Sequence, residues 1–75
     1  MEMIYTNSTL YINIEDRINF TLIKNLQSRL YRILDTYHIK AVEINILNDT
    51  HFDKTLLNDL VNDYKAKYSG KLIVK

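Results

Sequence analysis

Residues 40–60, KAVEINILNDTHFDKTLLNDL, constrain the fold of this chain more than any other stretch. Val42, Ile44 and Ile46 alternate with Glu43 and Asn45, the period of a strand buried on one side and wet on the other. A parallel strand covered on both faces would read as a nearly unbroken apolar run, so any helices must share a single face of the sheet. Asn48-Asp49-Thr50-His51 then breaks the pattern, Phe52 returns to apolar, and Asp53 is placed to cap a second helix. Within Lys54 to Tyr68 the inward set is Leu56, Leu57, Leu60, Val61, Tyr64 and Tyr68, and Lys54, Asn58, Asp59, Asn62, Lys65 and Lys67 face out.

The flanks complete this unit. Met3 to Tyr5 and Thr9 to Ile14 are β-prone runs around Thr6-Asn7-Ser8, which reads as a hairpin turn. Asn19 can cap a first helix whose stripe is Ile23, Leu26, Leu30, Ile33 and Tyr37, widened by Leu22 and Leu34, with Lys24, Gln27, Ser28, Arg32 and Asp35 outside. Ser69-Gly70 holds the single glycine of the chain where a helix favours a left-handed C′ residue, and Lys71 to Lys75 closes as a strand. The expectation is one α/β domain spanning residues 1–75. It is a small two-layer β-β-α-β-α-β unit, a mixed four-stranded sheet with two helices on one face, joined by right-handed crossovers.

Composition narrows the function. With 75 residues there is room for one core, near the lower limit at which burial alone offsets chain entropy. Ten basic and nine acidic residues leave a net charge of +1 and no broad positive field, so nucleic acid is not favoured as a partner. There is no cysteine, hence no disulfide and no thiolate metal site. Residues 1–9 have neither the basic nor the apolar region of a signal peptide, and no apolar run reaches bilayer length, so a cytoplasmic protein without membrane insertion is expected.

Reacting groups are scarce. His38 and His51 are the candidate general bases, and His51 lies between Asp49 and Asp53, a set suited in ligand type to a divalent ion but lacking a clear fourth ligand. With one glycine there is no phosphate loop, and no G-x-S-x-G, H-E-x-x-H or C-x-x-C occurs. A non-enzymatic protein with no cofactor is expected. Tyr31, Tyr37, Tyr64 and Tyr68 sit at spacings that serve a core. Surfaces remain: Tyr11, Asn13, Glu43 and Asn45 should share the open sheet face, with Tyr5 a further candidate there, and an uncovered sheet edge invites pairing with another chain, including a second copy. The rival expectation is a nucleic-acid-associated or phage-type inhibitor protein that uses Lys24, Arg29 and Arg32 on the basic outer face of the first helix.

From strand to loop to second helix, VEINILNDTHFDKTLLNDLVNDYKAKYSGKLIVK resembles the STAS fold of anti-sigma-factor antagonists. Phe52-Asp53 matches the entry to that family's Asp-Ser-Ser/Thr-Gly motif. Leu57, Leu60 and Val61 match its helix core, Ser69 to Val74 match its return strand, and the hairpin and first helix fall in the right order. Lys54 stands where the family has its phosphorylatable Ser or Thr, Thr55 follows, Leu56 replaces the glycine, and the family usually continues beyond the strand at Val74. The resemblance implies a regulatory or scaffold module that docks on a protein partner through the 50–55 loop and the start of the second helix. His51, Asp53, Lys54, Thr55 and Asn58 are the contact residues it implies.

Overall fold

The computed structural model describes residues 1–47 and 54–75. Its elements are β1 (Glu2–Thr6), β2 (Thr9–Ile14), α1 (Phe20–Thr36), β3 (Ala41–Ile46), α2 (Lys54–Lys67) and β4 (Lys71–Val74). The strands form one sheet in the order β1-β2-β3-β4, with β1 antiparallel to β2 and the β2–β3 and β3–β4 pairs parallel. Each parallel step is a strand-helix-strand crossover that moves one place in the same direction, which puts both helices on one face when the crossovers share a hand.

The β1–β2 loop contains only Asn7 and Ser8, both at positive φ (52° and 61°). Positive φ at both central residues marks the type I′ loop, whose twist matches that of the flanking strands. Asn19 caps α1 as its side chain demands, its Oδ1 accepting from the Leu22 N–H at 2.8 Å. That bond satisfies one of the donors left open at a helix start, worth about 1 kcal/mol.

The core lies between the sheet and the helices. Leu10, Ile12 and Ile14 of β2 and Val42 and Ile44 of β3 meet Ile23, Leu26 and Leu30 of α1 and Leu57, Leu60 and Tyr64 of α2. The residues alternating with them in β2 and β3 are half-buried on the opposite face, so the alternation in residues 40–47 does reflect one covered face. Ile18, in the irregular connection before α1, is also buried, a core residue that periodicity cannot flag because a loop has no period.

Four details depart from the expectations drawn from sequence. Tyr37 is not on the core stripe: the helix ends one residue earlier, Tyr37 turns extended (φ −116°, ψ 152°), and the side chain is 58% exposed. Gln27 is not an outer residue, because its amide reaches across to Asp63 on α2 at 2.9 Å. Tyr5 pairs in register with Leu10, so it lies on the helix-covered side of the sheet rather than the open face. Gly70 does not have a positive φ. It is required by space instead, since a Cβ there would lie 2.7 Å from the Tyr64 hydroxyl and 3.1 Å from the Lys40 carbonyl oxygen.

Candidate docking surface

The sequence-derived contact residues divide between described and undescribed positions. His51 and Asp53, and with them the Asp49-His51-Asp53 ligand set, lie outside the described residues. Lys54, Thr55 and Asn58 are exposed along the first turns of α2. Lys24, Arg29 and Arg32 are exposed on α1, and the Lys24 ammonium sits 5.4 Å from the centre of the Phe20 ring. His38 is exposed, and its carbonyl accepts from the Tyr5 hydroxyl at 3.0 Å. Among the described residues no group of three His, Cys, Asp or Glu side chains could hold a metal ion, and no helix is long and apolar enough to cross a membrane.

Across the helix seam, polar residues pair with each other. The Tyr31 hydroxyl donates to Asp63, which also accepts from Gln27 and lies 3.6 Å from the Lys67 ammonium. The hydroxyl of Tyr68, one residue past the end of α2, donates to Asp35 of α1 at 3.1 Å. Burial and the donated bond push the Tyr31 hydroxyl up to about 12. The same bond, ahead of the Lys67 charge, holds the Asp63 carboxyl below its ordinary range. In linkage terms the raised Tyr31 contributes stability that is complete below about pH 10 and is lost as pH climbs through about 12. The depressed Asp63 contributes stability present above the usual carboxylate range and lost as pH falls. Asp63→Asn should therefore move the ionisation of Tyr31 down toward 10, read from its ring-carbon chemical shifts. A Tyr31 that titrates near 10 in the unaltered protein would show that this bond does not form in solution.

Beside that seam, toward the start of α2, a groove of about 250 Å³ opens between the helices. Ile23, Leu56 and Leu60 contribute apolar lining, Lys24 and Asp59 polar lining, and Phe20 is 63% exposed at its edge.

On the open sheet face the register aligns Glu2, Asn13 and Asn45 in one row and Ile4, Tyr11, Glu43 and Ile73 in the next. Tyr11, Asn13, Glu43 and Asn45 thus share that face. Its polar members bond each other. Asn45 Nδ2 donates to Asn13 Oδ1 (3.0 Å) and to Glu43 (3.4 Å), Asn13 Nδ2 donates to Glu2 (3.2 Å), and Glu43 meets the Lys75 ammonium at 2.9 Å. The Lys75 contact is the main reason the Glu43 carboxyl is held below its ordinary range. A partner seated on this row would have to replace bonds already made, which costs about as much as it returns.

The β1 edge differs. Ile4 is 45% exposed and Tyr5 50%, and the Tyr5 ring lies 6.3 Å from that of the exposed Tyr37. In a hairpin with a two-residue loop, the pair closing the loop exchanges both main-chain bonds and every second pair does likewise. Thr6–Thr9, Ile4–Tyr11 and Glu2–Asn13 are those pairs, so the N–H and C=O groups of Met3 and Tyr5 point away from β2. Strand β1 carries no Lys, Arg or Pro, the residues that commonly protect an edge. The opposite edge, β4, begins at Lys71 and is followed by Lys75.

Scans of this chain against protein-family models, curated proteins and solved structures each returned no match.

Proposed function

We propose that this protein is a non-enzymatic protein-interaction module, a regulatory or scaffold domain of STAS-like build, that takes an extended segment of its partner onto the β1 edge. The observation that carries the reading is the coincidence, on one edge, of outward main-chain groups at Met3 and Tyr5 with exposed apolar side chains at Ile4, Tyr5 and Tyr37. Strand addition draws affinity from the main-chain bonds and specificity from alternate side chains, and this edge supplies both. The displaced titratable groups named above each have a neighbouring cause, burial or a bond within the fold, which supports a structural rather than a catalytic role for them.

A second reading places the docking site at the start of α2. Lys54 and Asn58 are exposed there beside the groove lined by Leu56 and Asp59, as the resemblance to anti-sigma-factor antagonists implies. The nucleic-acid reading would use the exposed Arg29 and Arg32 of α1. A photo-crosslinking side chain placed in turn at positions 4, 54 and 32 separates the three. The edge reading expects protein adducts from position 4 well above those from 54 and 32. Adducts concentrated at position 54 would move the site to α2, and nucleic-acid adducts at position 32 would overturn the protein-binding reading itself.

A further inference from the structure

Resting on the β1-edge reading, we infer that the segment this edge takes is the β1 strand of a second copy of the chain. The two strands would pair antiparallel about a two-fold axis at Ile4 and join two sheets into one.

The strand is self-complementary in that register. With Ile4 facing Ile4 of the second copy, Met3 faces Tyr5 and Glu2 faces Thr6, so no like charges meet. The phase of the main chain also agrees. Met3 and Tyr5 carry the outward N–H and C=O groups, so each Met3–Tyr5 pair between copies would exchange both bonds, and Ile4–Ile4 would be a closely approaching pair without them. On the helix side, the exposed rings of Tyr5 and Tyr37 would come to lie against Met3 of the second copy, a contact that suits a thioether and an aromatic ring.

The other edge argues the same way by contrast. Pairing β4 with its own copy about Ile73 would set Lys71 opposite Lys75 on one face, and like charges directly opposed destabilise a ladder. With the chain at +1, two copies approach with little net repulsion, so the local pattern decides which edge pairs. A two-fold pairing uses β1 of both copies and stops there, because the edges left outside are the lysine-bearing β4 strands.

The test is the mass in solution over a concentration series, by light scattering on the eluting peak. The inference expects a concentration-dependent rise from 8.9 kDa to twice that value. Ile4→Lys places two ammonium groups across the axis at a position already 45% exposed. It should weaken association about 100-fold while far-UV circular dichroism and the unfolding midpoint stay close to those of the parent. Met3→Pro, which removes one outward N–H and leaves Ile4 in place, should do the same by a different route. Val74→Lys on the opposite edge should leave the dimer intact.

A single-chain mass up to millimolar concentration overturns the inference. So does an assembly that grows beyond two copies, or a dimer that survives Ile4→Lys and is lost in Val74→Lys. None of these results decides the parent reading, which is tested separately by whether position 4 crosslinks to any protein.

Discussion

Leu60→Asp is expected to abolish the cooperative unfolding transition, whereas Ile33→Asp should leave a folded but weakened protein. In sequence the two positions are equivalent, each an apolar residue in the middle of a helical stripe. In the fold they are not. Leu60 is 2% exposed, within the cluster formed by Leu57, Tyr64, Leu10 and Ile12. A carboxylate there would lose its water with no buried charge available to pair with it, since the core contains no charged side chain among the described residues. The cost exceeds about 4 kcal/mol once the lost leucine packing is included. A domain of this size holds only about 4–11 kcal/mol in total, so the variant has little or no native state left. Ile33 only packs partly buried against the same cluster. Its carboxylate could turn to solvent, and a loss of about 1–3 kcal/mol is expected. Urea titration followed by far-UV circular dichroism reads both. A sigmoidal transition for Leu60→Asp at a midpoint near the parent's would mean that α2 does not pack as described.

Gly70→Ala is the second large effect, and it arises from an unusual buried tyrosine. Tyr64 is fully buried, and its hydroxyl has no hydrogen-bond partner among the described residues. That group forgoes water without replacement, a cost of about 1–3 kcal/mol. Gly70 passes over this hydroxyl so closely that an added methyl would sit 2.7 Å from it and 3.1 Å from the Lys40 carbonyl, which accepts from the Lys71 N–H at 3.2 Å. The Tyr64 ring is fully buried, and the Lys40 carbonyl, just ahead of β3, accepts from the N–H of Lys71 that opens β4, so relief means shifting β4. A destabilisation of about 1–3 kcal/mol is expected from overpacking. Because φ at Gly70 is not positive, none of this arises from backbone preference. Tyr64→Phe removes the unpartnered hydroxyl and the nearer obstacle together. It should stabilise the parent by about 1 kcal/mol and recover much of the loss when combined with Gly70→Ala. Thermal or urea unfolding of the single and double variants checks this. If the two substitutions simply add, the glycine is needed for a reason other than the Tyr64 hydroxyl.

The glycine also shows where reading a sequence stops. A lone glycine after an amphipathic helix is most simply a left-handed C-cap, and only the fold reveals that a tyrosine six residues earlier occupies the space beneath it. Tyr37 misleads for a related reason. Its spacing continues the α1 stripe, but periodicity runs on past the point where the helix ends. By contrast, the alternation in β2 and β3 was legible because each strand has one dry face and no competing requirement. The Asn19 cap was legible because its partner is local, three residues away.

The candidate site is harder to see in sequence. In β1, Met3, Ile4 and Tyr5 are contiguous and apolar, so no alternation says which faces out, and Tyr5 falls on the helix side only because the Asn7-Ser8 loop sets the register. The bonds of Tyr31 with Asp63 and Tyr68 with Asp35 join residues 32 and 33 positions apart, beyond the reach of any local pattern. One signal was present throughout. Lys71 and Lys75 bracket the closing strand and nothing comparable guards the opening one, an asymmetry that acquires meaning once both are known to be edges.

The most direct test of the docking edge compares photo-crosslinking from position 4 on β1 with that from position 73 on β4, in the intact protein under identical illumination. Protein adducts from position 4 in clear excess over position 73 are the expected result. Equal yields from the two edges, or an excess from position 73, would contradict the account.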